Sequence, residues 1–225
     1  MNGTQSITRR GGIAARLDLE QFDLLCAEFG GWRIDPYIQM MEAERAEGRV
    51  LAFVRGLRLS ARLIYTIRKQ LSATDLKADW GHILDDDGGV KCSPECDVII
   101  HHPGVMRQWN GSSDPVMDFK FVEQKHAVAV ISCKSYITSI RQDLKNYCDK
   151  VQDYVKNVWL FAECCRPGAV DRLREKSREA GYGKFWYLYT WDGKRSIQPN
   201  QEMWLDFLES VESLNAASSS GGARK

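Results

Sequence analysis

Two apolar stretches of this chain carry charged side chains at their ends, and those charges are the strongest candidates for chemistry. Asp97 opens the run Asp-Val-Ile-Ile, and Lys134 closes a run that starts at Ala127. Charged groups are rarely buried in proteins without a partner or a metal. A carboxylate beside one strand and a lysine at the end of the next are therefore expected to face a shared site.

A carboxylate and a lysine at one site suit the hydrolysis of a phosphodiester bond. That reaction needs a metal that neutralises charge and binds water, and a group that orients or deprotonates the water. Asp97 could ligate Mg²⁺ directly, because hard cations prefer carboxylate oxygen. The backbone carbonyl of Cys133 could be a second ligand. Lys134 could hold the attacking water and offset charge on the scissile phosphate.

Two further residues share the faces on which these charges lie. Side chains two positions apart lie on one face of a strand. Glu95 therefore shares a face with Asp97 if the strand begins that early, and Ser132 shares a face with Lys134. If the two strands are neighbours, Asp97 and Lys134 can meet at one edge of the sheet. We expect the catalytic group to consist of Asp97, Lys134, Ser132 and Glu95.

The elements that would position these residues alternate between helix and strand. Apolar residues recur at helical spacing from Arg49 to Thr74, and a less regular helical region, broken near Gly30 and Pro36, precedes them. The later segments are predicted as strands at 77–84, 97–101 and 128–133, a helix at 138–155, a strand at 158–162, a helix at 167–181, a strand at 185–190 and a helix at 204–214. This order predicts an α/β fold with helices covering a mixed sheet.

Composition limits the classes of protein that the chain can belong to. Its 225 residues suit one large domain or two small ones, and its net charge of +1 confines any nucleic-acid site to local patches. No apolar run approaches membrane-spanning length, so no membrane partner is expected. Seven cysteines, an odd number, suit reduced thiols in the cytoplasm better than a disulfide framework.

The element order, together with Asp97 and the run Ser132-Cys133-Lys134, resembles the PD-(D/E)XK nuclease superfamily. The likeness is nearer to a family of uncharacterised bacterial and phage domains within it. Those domains carry an apolar helix, a glycine-containing strand, an aspartate followed by apolar residues, and a strand ending Glu-Val-Lys-Ser. The stretches Gly81 to Ile100 and Val122 to Ser135 match this outline.

The resemblance implies a restriction-endonuclease-like mixed β-sheet flanked by helices. It also implies cleavage of nucleic acid, with DNA as the expected substrate and Mg²⁺ (or Mn²⁺) as the cofactor. We expect an N-terminal helical extension at residues 1–48, the nuclease-like domain at 49–215, and a disordered low-complexity tail at 216–225.

One position departs from the superfamily pattern, because Ser132 stands where the motif has a carboxylate. Serine cannot ligate Mg²⁺ as a carboxylate does. Some nucleases with serine at this position recruit a carboxylate from the following helix. Asp149 is the candidate metal ligand there, and Asp143 and Glu95 are the other candidates. Otherwise the domain is catalytically inactive and binds nucleic acid or protein, or it is a cytosolic scaffold with no nucleic-acid role.

A basic stripe lies on the helix predicted at 49–74, which contains no acidic residue. Arg55, Arg58 and Arg62 fall on one side of that helix. They are expected to bind the phosphates of a nucleic acid. The alternative is a solvated polar face with no ligand.

Overall fold

The computed structural model describes residues 13–35, 38–40, 47–85, 91–103, 107–108, 119–193 and 196–220. Within these ranges the helices are α1 (Ile13–Ile34), α2 (Glu47–Gln70), α3 (Gln142–Gln152), α4 (Val170–Glu179) and α5 (Gln201–Ser220). The strands are β1 (Lys77–Leu84), β2 (Cys96–His101), β3 (Arg107–Gln108), β4 (Phe119–Glu123), β5 (Ala127–Ile137), β6 (Asn157–Cys165), β7 (Lys184–Trp191) and β8 (Ile197–Pro199).

The described strands form one mixed sheet in the order β3-β4-β1-β2-β5-β6-β7-β8. β5 lies near the centre, antiparallel to β2 and parallel to β6. β7 continues the parallel part of the sheet, whereas β1 and β2 form an antiparallel pair. The two strands that carry Asp97 and Lys134 are therefore direct neighbours in the middle of the sheet.

Each face of the sheet has its own hydrophobic core. On one face, α1, α2 and α5 pack against residues such as Ile131 of β5. On the other face, α3 and α4 pack against residues such as Val130. Because side chains alternate along a strand, Ser132 and Lys134 point to the same side as Val130, toward α3 and α4.

The predicted α/β fold with a mixed sheet is confirmed, and β1 has the predicted bounds. The predicted break near Gly30 is wrong, because α1 runs through it to Ile34; Pro36 lies outside the described residues. α5 extends to Ser220, into the stretch predicted as a disordered tail, and residues 221–225 of that stretch lie outside the described residues. No helix in the described ranges is long and apolar enough to cross a membrane.

Gly81 marks a close approach between β1 and β4. Its φ is +152°, and a Cβ atom at this position would lie 1.8 Å from the carbonyl oxygen of Lys120. Gly81→Ala is expected to lower the free energy of unfolding by at least about 2 kcal/mol, because backbone atoms must move. Gly56→Ala is the control, since no atom lies within 4 Å of a Cβ there. It should be neutral or stabilise α2 by up to about 1 kcal/mol. Equal urea midpoints for Gly81→Ala and the parent would contradict this account.

Candidate active site

The carboxylate of Asp97 and the ammonium of Lys134 meet on the face of the sheet that α3 and α4 cover. Val98 lies opposite Ile131 in the antiparallel β2–β5 pair, and one further step of that register sets Asp97 opposite Ser132. Nζ of Lys134 is 4.0 Å from Oδ2 of Asp97, and the two side chains are 37% and 33% exposed. The predicted meeting of the two charges is confirmed, whereas their chemical roles remain a prediction.

The surroundings of Asp97 only partly offset its negative charge. The backbone N–H of Cys133 donates a hydrogen bond of 2.8 Å to Oδ2 of Asp97. Burial nevertheless raises the pKa of Asp97, against the lowering effects of Lys134 and of that hydrogen bond, and the charge of Glu95 adds to the rise. A bound cation would therefore be favoured electrostatically beside Asp97.

Ser132 is fully buried between β2 and β6. Its hydroxyl lies beside the carboxylate of Asp97 and the hydroxyl of Tyr182. Among the described residues, however, it has no hydrogen-bond partner of normal geometry. A buried hydroxyl without a partner is costly, and this one lies next to a charged group.

Glu95 lies just before β2 and is exposed. Its Oε1 accepts a hydrogen bond of 2.8 Å from the indole N–H of Trp80. Burial raises the pKa of Asp97, and the negative charge of Glu95 adds to that rise. The structure therefore places Glu95 within electrostatic range of the site, held by β1 through Trp80.

Asp149 lies on the exposed side of α3. The side chains of α3 that pack on the sheet are Leu144, Cys148 and Val151, which share one face of the helix. Asp149 follows Cys148 directly, so it is turned by about 100° from that face and is exposed. The expectation that Asp149 replaces the missing motif carboxylate stays a prediction, which its exposed position does not favour.

The side chains around Asp97 fit a cation that is held by few protein ligands. Among the described residues, no group of three or more histidine, cysteine, aspartate or glutamate side chains could hold a metal. Mg²⁺, however, usually keeps several waters and binds through one or two carboxylates and the phosphates of its substrate. Asp97 can supply one carboxylate, Glu95 adds negative charge, and the unpartnered hydroxyl of Ser132 lies alongside. The donor set suits an ion bound together with a phosphate substrate.

The arginine stripe of α2 lies on the side of that helix that faces α1. Arg55 is only 2% exposed, and its guanidinium reaches the carbonyl of Trp32 at 3.5 Å. Arg58 and Arg62 both form ion pairs with Glu28 of α1. The burial of Arg55 leaves a phosphate little access to its side chain, and its predicted phosphate contact stays a prediction. For Arg58 and Arg62 it stays a prediction, with Glu28 as a competitor for the phosphate.

Two tyrosines near the site were not predicted as functional residues. Burial raises the pKa of Tyr147 of α3, and Cys96 and Asp97 add to that rise, whereas Tyr182, which follows α4, lies beside Ser132. The helical pattern assigned Tyr147 to the buried face of its helix. A pattern of apolar positions cannot show where a hydroxyl at the end of such a side chain points.

Comparisons with known proteins support the fold. No family model matches the chain, and no curated protein matches its sequence. The solved structures that match over nearly the whole length include two of NucC. NucC of E. coli MS115-1 in its cAAA-bound form has 11% identity and a TM-score of 0.52, covering 92% of this chain and 93% of NucC. NucC of P. aeruginosa ATCC27853, also cAAA-bound, has 9% identity and a TM-score of 0.54, covering 91% and 92%.

The fold is like that of NucC. The restriction-endonuclease-like mixed sheet flanked by helices, with a helix at the N-terminal side, is confirmed as the fold class. Identities of 9% and 11% establish the fold alone, so activity has to be argued from the residues of this chain.

Proposed function

We propose that this protein is a metal-dependent nuclease that hydrolyses phosphodiester bonds of nucleic acid, with DNA as the expected substrate. The observation that carries the proposal is the approach of Lys134 Nζ to within 4.0 Å of Asp97 Oδ2 on adjacent central strands. If such an ion pair were fully buried, its role could be merely structural, holding the two strands together. Here the two side chains are each about one-third exposed, so a substrate phosphate could reach them.

Each residue has a distinct task in this proposal. Asp97 would hold Mg²⁺ (or Mn²⁺), with the backbone carbonyl of Cys133 as a second ligand. When bound, the ion would supply charge neutralisation and a more acidic water. Lys134 would bind the scissile phosphate and orient the water. Glu95 would keep the site negative enough to attract the cation.

Ser132 determines whether the site is active. In our interpretation it occupies the place of the motif's carboxylate, which leaves one negative charge fewer for the cation. The competing function is a catalytically inactive domain that binds nucleic acid or protein. The absence of a three-ligand cluster among the described residues favours that alternative. The raised pKa of Asp97 favours an active nuclease, because perturbed pKa values are frequent among catalytic and metal-binding carboxylates.

Restoring a carboxylate at position 132 is the test of this proposal. Ser132→Glu should raise the rate of metal-dependent cleavage about tenfold or more over the parent, because a second carboxylate strengthens metal binding. The assay compares Mg²⁺ with Mn²⁺ on single- and double-stranded DNA and RNA. It is run with and without cAAA, which is named for both NucC structures.

Two variants keep that test interpretable. Ser132→Asp places a shorter carboxylate in the buried position, in case glutamate prevents folding. Ser139→Glu adds the same charge at an exposed residue of the loop after β5 and should leave the rate unchanged. If the parent, Ser132→Glu and Ser132→Asp all fold and none of them cleaves any substrate, the inactive binding domain replaces the nuclease proposal. A cytoplasmic location, expected from the seven cysteines, belongs to the same proposal.

A further inference from the structure

An arginine in the last turn of α1 reaches the central sheet beside Lys134. Nη2 of Arg33 donates a hydrogen bond of 2.6 Å to the backbone carbonyl of Ser135, the residue that follows Lys134 on β5. Nε of the same side chain lies 3.1 Å from Oε1 of Glu163 on β6. The parallel register of β5 and β6, which pairs Lys134 with Ala162, sets Ser135 opposite Glu163. One guanidinium therefore ties the two strands together one residue beyond Lys134.

The guanidinium of Arg33 is held from several sides. The Arg33 and Glu163 side chains are 5% and 1% exposed. The hydroxyl of Tyr189 donates a hydrogen bond to the same oxygen of Glu163, which fixes the carboxylate. The rings of Tyr136 and Trp191 have their centres 5.4 and 5.5 Å from Cζ of Arg33, within the range of cation–π contacts. Arg33 therefore has one well-defined position, from which a movement would leave buried charges unpaired.

The end of β5 depends on Arg33 because it lacks a strand on one side. The antiparallel register sets Cys96, the first residue of β2, opposite Cys133. Beyond Cys133, β5 has β6 as its neighbour and no described strand on the other side. The thiol of Cys164 also lies 3.5 Å from the carbonyl oxygen of Ser135, but a thiol is a weak donor. The bond from Arg33 is therefore the main hydrogen bond that α1 and the sheet offer to this carbonyl.

Stability alone does not explain a buried ion pair at this place, because apolar residues of similar volume often support a fold equally well. α1 packs on the face of the sheet opposite to the one where Lys134 meets Asp97, so Arg33 cannot touch a phosphate there. The Arg33 side chain reaches the backbone beside Lys134 instead. A misplacement of about 1 Å in a catalytic group can lower a rate about a hundredfold.

We infer that Arg33 is a positioning residue of the proposed active site: through the carbonyl of Ser135 it holds the end of β5, so that Lys134 stays beside Asp97 and within reach of a bound phosphate. Glu163 keeps Arg33 in place for this task. The inference rests on the proposed function, since it assumes that Lys134 binds the scissile phosphate. Arg33 acts through the backbone of β5 and touches neither the substrate nor the reacting atoms.

The test compares the parent with the double variant Arg33→Met/Glu163→Leu, in which no unpaired charge remains in the core. The double variant lacks the bond to Ser135, so its kcat for DNA cleavage should fall about tenfold or more, although its melting temperature stays close to that of the parent. Mn²⁺ binding without nucleic acid, measured by calorimetry, should stay within about twofold, because the N–H of Cys133 still holds Asp97.

Amide hydrogen exchange reports on the end of β5 without any cleavage. In the double variant, exchange at residues 134–137 should be about tenfold faster than in the parent, because this segment opens more often. Lys184→Met is the control. It removes a 2.6 Å hydrogen bond from β7 to Ser210 of α5, and it should change neither kcat nor the exchange of residues 134–137.

Arg33→Lys is a second variant that keeps the charge beside Glu163. One ammonium cannot reproduce the two-pronged contact of a guanidinium with Glu163 and Ser135. Its kcat should therefore lie between those of the parent and the double variant. If the double variant does not fold, Arg33→Lys decides, and a kcat equal to that of the parent overturns the inference.

The outcomes separate this inference from the proposed function. If the parent cleaves DNA and the folded double variant cleaves it at the same rate, the inference is overturned while the proposed function stands. Unchanged exchange at residues 134–137 also overturns it, because β5 would then not depend on Arg33. Parallel losses of kcat, Mn²⁺ affinity and melting temperature overturn it as well, since they indicate a general role in the fold. If the parent cleaves no nucleic acid, the proposed function fails and the inference fails with it.

Discussion

Replacing Asp97 with asparagine is expected to lower metal-dependent cleavage on the order of 10³-fold or more while the fold is kept. Asparagine has the same shape but lacks the negative charge that binds the cation. Its side-chain oxygen can still accept the hydrogen bond from the N–H of Cys133, so the β2–β5 contact survives. Lys134→Ala should have a comparable effect, because it removes the positive charge expected to bind the scissile phosphate. Rates of oligonucleotide cleavage measure both.

Asp97→Asn should leave the free energy of unfolding at neutral pH unchanged or raise it. Burial raises the pKa of Asp97 in the folded protein above its usual value of 3.8. The folded state therefore holds the proton of Asp97 more tightly than the unfolded state does. The contribution of this group to stability falls as the pH rises from its usual pKa through its raised pKa in the folded protein. Asp97→Asn removes the charged form, so its advantage over the parent should grow with pH and vanish in acid.

Asp149→Asn is the matched control for Asp97→Asn. Asp149 is exposed on α3 and lies outside the arrangement of Asp97 and Lys134. Its neutralisation should leave the rate within about twofold of the parent, since it is expected to touch neither cation nor substrate. Loss of cleavage in Asp149→Asn would indicate that Asp149 takes part in the reaction.

Breaking the buried ion pair of Arg33 and Glu163 should give the largest loss of stability. Nε of Arg33 lies 3.1 Å from Oε1 of Glu163, and the two side chains are 5% and 1% exposed. Arg33 also donates a 2.6 Å hydrogen bond to the carbonyl of Ser135, and Tyr189 donates to the same carboxylate oxygen. Burial raises the pKa of Glu163, although Arg33 opposes that rise. Glu163→Leu leaves the guanidinium buried and unpaired, which should cost about 3–5 kcal/mol.

Removing both charges distinguishes the pair from simple packing. Arg33→Met combined with Glu163→Leu should recover most of the lost free energy of unfolding, because no uncompensated charge remains in the core. Arg62→Met, which breaks a half-exposed pair with Glu28, should cost no more than about 1 kcal/mol. Urea unfolding measures the free energy of unfolding of the parent and of each variant. A double variant as unstable as Glu163→Leu alone would contradict the ion-pair account.

Much of the fold could be predicted because local patterns specify it. Alternating and continuous apolar runs located β1, β2 and β5–β7, and helical periodicity located α2 to α5. β4 was not predicted, because Lys120 and Glu123 interrupt its apolar residues and its pairing with β1 is distant in sequence. β5 continues past Cys133 to Ile137 because its pairing with β6 extends through Tyr136 and Ile137, which a local pattern does not show.

The site was predictable only where charge and strand patterns coincided. The placement of Asp97 and Lys134 on neighbouring strands follows from charges at the ends of two apolar runs. The burial of Arg55 could not be predicted, since helical spacing shows that three arginines share a side but not that α1 covers it. The burial of Glu163 was missed for a related reason. A charged residue at the end of an apolar strand looks exposed until its partner on α1 is known.

Cleavage by the parent protein, with Asp97→Asn purified in parallel, tests the central claim most directly. Plasmid DNA and single-stranded DNA and RNA are incubated with Mg²⁺, with Mn²⁺ or with EDTA, each with and without cAAA. The account predicts cleavage that requires the metal, disappears in EDTA and is absent from Asp97→Asn. Cleavage that persists in Asp97→Asn or in EDTA would contradict it, as would the absence of cleavage by the parent on every substrate.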